Sequence, residues 1–283
     1  MMKMNNVFLL GIFALFMHNN LHAKCIIKMV YKENSKMPLI NAAPNNNGFY
    51  FNLYNKAANE IGCILKIRRF PKKRLHKMLN SGALDFYPGV SISKERSKYL
   101  YYLPVGFETA QFGITSSTVP EINSYSDIKK HKLTWLMELG SSKNEIAKSY
   151  KIETLKTPVV NIEKILKMRS LGRDGFTILD KEPIDYYLKE NKLINYTSIG
   201  LKIHKHCCGG IKPMYLGFSK SSPHFKELIN ERFDPKRVIS PINNPSKLDP
   251  NCIASKFANV LNKLSTSGET LAIYESYILN DFE

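Results

Sequence analysis

Alternation of strands and helices is the feature that most restricts the fold of this chain. Apolar, strand-like runs begin at Cys25 and at Cys63, and a helix pattern that ends at Gly62 separates them. A second helix pattern begins at Pro71 and is closed by Gly82, after which another short strand follows. Strands joined through helices pair in parallel, so this region predicts a parallel sheet with helices on its faces.

The middle of the chain repeats the pattern. Strands are predicted over 132–136, 157–160 and 175–179, with helices between them. Two extended crossings, near 110–115 and 214–218, divide the chain into an outer lobe made of both ends and an inner lobe made of the middle. Two lobes joined by two crossings have the geometry of a hinge.

The C-terminal part is expected to be mainly helical. A helix is predicted over 222–233, a loop with several prolines over roughly 234–250, and two closing helices over 253–264 and 269–279.

The N-terminal end predicts export. Lys3 precedes an apolar run over 7–17, and the polar stretch after it ends at Ala23, which is the pattern of a secretory signal peptide. The apolar run is shorter than the roughly 20 residues that a membrane-spanning helix needs. We therefore expect residues 1–23 to be removed by cleavage near Ala23, and the mature protein to be a soluble periplasmic one.

The charge of the chain is strongly positive. A formal net charge of +17 is compatible with nucleic acid, an anionic surface or an anionic ligand as partner. The lysines are scattered among Asn and Glu, without an arginine-rich arm or the aromatic ladder of RNA-binding proteins. We expect a solvated basic surface, no nucleic-acid partner and a monomer.

Five cysteines in an exported chain predict disulfides. Cys25 and Cys63 each open a strand, and neighbouring parallel strands would place them within bridging distance, so we predict this pair. Cys207 and Cys208 are adjacent, so at most one of them is expected to bond Cys252. The pairing among these three cysteines stays open.

A metal site is the alternative for the segment that holds His204, His206, Cys207 and Cys208, because imidazole and thiolate are good ligands for Zn²⁺. The spacing matches no standard zinc site, and exported cysteines are usually oxidised. We therefore predict neither a metal nor a cofactor.

Two segments indicate an anion site at strand ends. The stretch 85–96, DFYPGVSISKER, brings Ser91 and Arg96 to a strand end, where the planar guanidinium fork matches a carboxylate. Ser141 and Ser142 open a later helix, where free backbone amides point outward. Open parallel sheets bind ligands at the C-terminal ends of their strands. The two segments therefore predict opposite halves of one cleft for a small carboxylated molecule.

In their order and spacing these segments resemble the extracellular solute-binding proteins of family 3, the bacterial receptors for amino acids and related molecules. The resemblance covers nearly all of the mature chain and rests on PLI with Gly48, Phe70-Pro71 with Arg74 and Leu79, Gly82 with Asp85, the Ser91 to Arg96 spacing, Gly140-Ser141-Ser142, and LGFSK at the return crossing. It implies the α/β, type II periplasmic-binding-protein fold, in which each of two lobes is a mostly parallel sheet flanked by helices and two strands form the hinge. The outer lobe would comprise 24–111 and 216–283, and the inner lobe 112–215.

The resemblance also implies roles for individual residues. Arg96 would pair with the ligand carboxylate, assisted by Ser91 and Ser142. Phe70 would pack on the ligand side chain, and Asp180 would accept the ligand amino group.

Two departures from the family pattern bear on the ligand. Lys72 stands where many members of the subgroup carry tryptophan, and Pro88 and Gly89 stand where amino-acid binders have hydroxyl residues. The pocket floor is therefore expected to offer fewer donors, which leaves another carboxylate or a peptide fragment as alternatives to an α-amino acid.

The expected function is that of an exported receptor that clamps a small carboxylated solute for the permease of an ABC-type transporter. A membrane sensor is the alternative partner, because transport and sensing need the same cleft. Some proteins of this fold are dehydratases of cyclic acids, in which case Glu138 or Asp180 would serve as acid or base. The sequence lacks the standard catalytic motifs, so we expect no enzyme.

Overall fold

The computed structural model describes residues 25–173 and 175–278. The predicted signal peptide, residues 1–23, lies outside the described residues. Within the described ranges, no helix combines the length and the apolar character needed to cross a bilayer.

Strands and helices alternate through most of the described chain. The strands are β1 (Cys25–Tyr31), β2 (Cys63–Arg69), β3 (Phe86–Pro88), β4 (Leu100–Ser116), β5 (Thr134–Glu138), β6 (Thr154–Thr157), β7 (Gly175–Asp180), β8 (Leu201–His204), β9 (Gly210–Ser219), β10 (Glu227–Ile229) and β11 (Ser246–Leu248). The helices are α1 (Phe49–Glu60), α2 (Lys72–Asn80), α3 (Lys94–Ser97), α4 (Tyr125–Lys130), α5 (Asn144–Ser149), α6 (Ile162–Ser170), α7 (Lys181–Glu190), α8 (Ile253–Thr266) and α9 (Glu269–Ile278), with a 3-10 turn at Tyr196–Ile199.

The main sheet joins two parallel groups of strands through two antiparallel ones. Its strand order is β2-β1-β3-β9-β4-β7-β5-β6, with β8 also beside β4. In the outer lobe β1 pairs in parallel with β2 and β3, and in the inner lobe β5 pairs in parallel with β6 and β7. The predicted two-lobed α/β fold, with a mostly parallel sheet flanked by helices, is confirmed.

The two crossings between the lobes are longer than predicted. Strand β4 runs through the whole of Leu100–Ser116, pairing with β9 along its first part and with β7 and β8 at its end. The register of β4 against β9 shifts between Pro104 and Glu108. The lobe boundaries at 111–112 and 215–216 stay a prediction.

Each lobe has its own hydrophobic core. The outer-lobe core is rich in aromatic rings, with Phe86 packed against Tyr54 and Phe257 at centroid distances of 5.1 and 5.4 Å. In the inner lobe Trp135 and Leu136, adjacent on β5, enter two different clusters on opposite faces of the sheet. Burial on both faces is what a parallel strand flanked by helices requires.

The predicted helix over 222–233 is wrong. The chain forms turns there and then strand β10, which pairs antiparallel with β11. The Ser222 hydroxyl donates to Asp85 Oδ1 at 2.6 Å and accepts the His224 amide at 3.1 Å, which holds the first residues in a turn. Phe225 packs on Phe218 of β9. These contacts with distant residues outweigh the local helical pattern.

The predicted Cys25–Cys63 disulfide is confirmed, and the two cysteines are register partners on β1 and β2. Cys207 and Cys208 are bonded to each other, and Cys252 has a free thiol. Neither member of the adjacent pair therefore bonds Cys252.

The segment considered as a metal site is arranged differently. His204 is buried, with Nε2 2.8 Å from Thr115 Oγ1 and Nδ1 accepting the Ile122 amide at 3.1 Å. Both ring nitrogens are thus engaged within the protein. Among the described residues, no group of three or more His, Cys, Asp or Glu side chains is placed to hold a metal ion.

A pair of glycines tests the packing of α2 against the return crossing. Gly82 and Gly62 both have φ of +74°, but a Cβ on Gly82 would lie 2.1 Å from the Ser221 carbonyl oxygen, whereas a Cβ on Gly62 would meet nothing within 4 Å. We expect Gly62→Ala to lower the unfolding free energy by about 1 kcal/mol through backbone strain. Gly82→Ala should lower it by about 2–4 kcal/mol, because overpacking adds to that strain. Urea unfolding measures both, and equal losses would contradict the close contact.

Candidate functional site

A cavity of about 940 Å³ lies between the two lobes. The C-terminal ends of β1, β3, β5 and β7 all contribute to its wall, as expected for parallel strands that meet at one edge. Residues of the outer lobe in the wall include Tyr31, Lys32, Lys36, Lys72, Tyr87, Ser91 and Arg96, and those of the inner lobe include Glu138, Ser141, Ser142, Lys143, Thr177 and Asp180.

Arg96 is a buried cation in this wall. Its residue is 8% exposed, and the Ser93 hydroxyl caps the short helix α3 by accepting the Arg96 amide at 3.3 Å. The guanidinium donates through Nη1 to the Ser91 carbonyl oxygen and through Nη2 to the Gly140 carbonyl oxygen, both at 3.2 Å. A guanidinium has five N–H donors. In the part of the chain that the structure describes, Arg96 has no carboxylate partner, so its positive charge is not neutralised by an ion pair.

The predicted serines lie around the same cavity. Ser91, Ser141 and Ser142 all line it, on both sides of the cleft. The Ser141 hydroxyl accepts the Lys143 amide at 3.3 Å, in the turn that leads into α5. The structure therefore brings both predicted anion-binding segments together around Arg96.

Phe70 takes a different position from the other predicted site residues. It follows β2, packs against the outer-lobe core and lies beneath the Arg74 guanidinium, 4.9 Å from its ring centroid. Phe70 is not among the residues that line the cavity. The aromatic side chains of Tyr31 and Tyr87, with ring centroids 5.6 Å apart, do line it. Their places at or near the C-terminal ends of β1 and β3 were the available signal in the sequence.

Asp180 ends β7 and reaches the cavity, but the chain's own cations occupy its carboxylate. Lys36 forms an ion pair with it, Gln111 Nε2 donates to Oδ1 at 2.7 Å, and Lys212 Nζ lies 3.8 Å from Oδ1. Burial alone would raise the pKa of Asp180, but Lys36 and Lys212 outweigh burial and hold it well below its ordinary value. Asp180 is thus an ionised, paired carboxylate.

Glu138, at the end of β5, is paired in the same way. Lys32 and Lys72 each place Nζ 2.7 Å from one of its oxygens. Burial would raise the pKa of Glu138, but these two lysines together bring it below its ordinary value. Burial is also the main reason that the pKa of Lys72 falls to about 8, although Glu138 opposes the change. These two pairs and the Lys36 pair join the outer lobe to the inner lobe.

No protein-family model and no curated protein sequence matches this chain. Solved structures, however, share its fold. An ancestral arginine-binding protein bound to glutamine is 19% identical, over 90% of this chain and 99% of that one, with a TM-score of 0.64. The substrate-binding protein of an amino acid ABC transporter is 17% identical over 89% and 98% of the two chains, with a TM-score of 0.61. A histidine kinase sensor domain with similarity to periplasmic binding proteins is 16% identical over 90% and 96%, with a TM-score of 0.62.

The chain therefore has the two-lobed fold of the periplasmic binding proteins. In this fold the cavity lies between two lobes that one pair of crossing strands connects. A cleft so placed can enclose a small molecule, and it can couple enclosure to movement of the lobes.

The ion pairs across the cleft predict how stability depends on pH. Glu138 and Asp180 have folded-state pKa values below their ordinary values of 4.5 and 3.8. At a pH between the folded-state and the ordinary pKa, the unfolded chain therefore binds more protons than the folded one. The stability that they contribute is therefore complete above about pH 4.5 and is lost as the pH falls below it. We expect the melting temperature to fall less between pH 6 and pH 3 in the Glu138→Gln/Asp180→Asn variant than in the wild type.

The matched control is Glu145→Gln, which removes an exposed carboxylate whose single ion pair among the described residues is with Lys148 in the next turn. It should keep the wild-type dependence. A double variant whose melting temperature falls as steeply as that of the wild type would contradict the assigned role of the cross-cleft pairs.

Proposed function

We propose that this protein is an exported solute-binding receptor that clamps a small carboxylated solute and presents it to the permease of an ABC-type transporter. The observation that carries the proposal is the Arg96 guanidinium, which is buried in the cleft wall with donors unused and no carboxylate partner among the described residues. A buried, unpaired cation is unfavourable unless an anion joins it. A ligand carboxylate supplies that anion.

Binding at Arg96 couples the ligand to closure of the cleft. Arg96 belongs to the outer lobe, and the Gly140 carbonyl that accepts from it belongs to the inner lobe. A carboxylate held by the remaining guanidinium donors, with the hydroxyls of Ser91 and Ser142, therefore sits where the lobes meet. A ligand that touches both lobes binds the closed arrangement more tightly and shifts the population toward it.

The proposed lobe boundaries, location and monomeric state are the ones expected from the sequence. We place the lobe boundaries at 111–112 and 215–216, the mature protein in the periplasm after removal of 1–23, and the active form as a monomer. We assign the aromatic wall of the pocket to Tyr31 and Tyr87, because both line the cavity and Phe70 does not.

A membrane sensor is the second candidate partner. The similarity of the chain to the sensor domain of a histidine kinase supports it to the same degree as the similarity to a transporter protein supports transport. A dehydratase is disfavoured by the site itself, because Glu138 and Asp180 are both held in ion pairs with lysines. A general acid or base needs a pKa near the working pH, and both of these carboxyls have lowered pKa values.

Removing the Arg96 guanidinium tests the proposal. Thermal-shift screening of wild-type protein against carboxylated solutes identifies a ligand, because binding to the folded state raises the melting temperature. Arg96→Ala should then weaken binding of that ligand by about 2–5 kcal/mol, since a buried charge-assisted pair is lost. Isothermal titration calorimetry measures the change in Kd.

The control is Arg232→Ala, which removes an exposed arginine that is not part of the cavity wall. Its Kd should stay within about twofold of the wild-type value, because a substitution on the surface away from the cavity has little effect on the site. An Arg96→Ala protein that keeps the wild-type Kd would refute the anchor role.

A further inference from the structure

We propose that the cleft selects a solute that carries at least two negative groups and no cationic amino group. This inference rests on the proposed function, since it concerns the ligand of the same cleft. It separates the ligand of this chain from an ordinary α-amino acid, whose ammonium group needs a free carboxylate in the pocket.

The first argument is that the carboxylates able to accept an ammonium are already occupied. Asp180, the residue expected to take a ligand amino group, is paired with Lys36 and has Lys212 3.8 Å away. Glu138 is bonded to Lys32 and Lys72. An ammonium group approaching either carboxylate would have to displace a lysine or lie beside it, and like charges at such distances repel strongly in a partly buried site.

The second argument is an excess of cations on both sides of the cavity. Glu138 is accompanied by Lys32, Lys72 and the nearby Arg96, whose charge acts on Lys72. The other group, around Asp180, contains three cations, Lys36, Lys143 and Lys212, against the two carboxyl groups of Asp180 and Glu182. In each group the cations outnumber the carboxylates.

Two of these lysines, Lys143 and Lys212, have lowered pKa values. Lys143 lines the cavity and forms no ion pair with any described residue. Burial lowers the pKa of Lys143 and of Lys212, and Asp180 only partly opposes the change. A ligand anion close to these ammonium groups would favour their charged form.

The remaining acids of the cleft do not restore the balance. Glu33, Glu163 and Glu190 line the cavity but are exposed, so water screens their charges. Glu182 is buried beside Asp180 and does not line the cavity, and burial followed by the neighbouring Asp180 raises the pKa of its carboxyl. Two anionic groups on the ligand, one at Arg96 and Lys72 and one at Lys143, complete the site.

Pairs of ligands that differ only in the amino group test the inference. Isothermal titration calorimetry with succinate and L-aspartate, and with glutarate and L-glutamate, compares each diacid with its amino derivative on the same carbon chain. We expect each diacid to bind at least about tenfold more tightly than its amino derivative, and more tightly than butyrate, which carries one carboxylate.

The second negative group is tested by Lys143→Met. This variant should lose at least about fivefold in affinity for the better diacid, whereas Lys156→Met, which removes an exposed lysine outside the cavity wall, should not change it. Lys36→Met removes the cation that pairs with Asp180 Oδ2 and should narrow the difference in affinity between diacid and amino acid. A Lys143→Met protein with unchanged diacid affinity would contradict the second anionic position.

The outcomes separate this inference from the proposed function. Amino acids that bind as tightly as the diacids, in a manner that Arg96→Ala abolishes, would overturn the inference and leave the receptor function standing. Absence of binding by all of these ligands would also overturn the inference. The proposed function fails only if, in addition, the wider panel of carboxylated solutes yields no ligand whose binding depends on Arg96.

Discussion

The pairing of two half-buried carboxylates with three lysines across the cleft is the interaction on which the site depends. Glu138 and Asp180 end neighbouring strands of the inner lobe, and Lys32, Lys36 and Lys72 reach them from the outer lobe. Removing each carboxylate from water is unfavourable unless a cation pairs with it. The ion pairs therefore lie at the contact between the two lobes. These pairs leave Arg96 and Lys143 as cations of the cavity wall without a carboxylate partner among the described residues, which supports the proposal of an anionic ligand.

The fold was predictable from the sequence because its signals are local. Helices bounded by proline and glycine and short apolar strands predict the parallel groups, and the strand openings at Cys25 and Cys63 predict their disulfide. The turn at Ser222 was not predictable, because the hydroxyl finds its partner, Asp85, far away in the sequence. Where tertiary contacts compete with a local pattern, the pattern alone gives the wrong element.

The candidate site was predictable in part for the same reason. Arg96 and its serines were found because residues at strand ends face the ligand edge of a parallel sheet. The state of Asp180 was not predictable, because Lys36 lies 144 residues away in sequence and nothing local marks the two as partners. The single local hint was Lys72, which replaces an expected aromatic residue directly after Pro71 and contributes one of the cations of the cleft.

A crystal structure of the protein with the tightest-binding solute of the panel tests the central claim most directly. The account predicts a ligand carboxylate within hydrogen-bond distance of the Arg96 guanidinium, with the Lys36–Asp180 pair intact. A ligand ammonium bonded to Asp180 with Lys36 displaced, or a ligand carboxylate that makes no contact with Arg96, would contradict it.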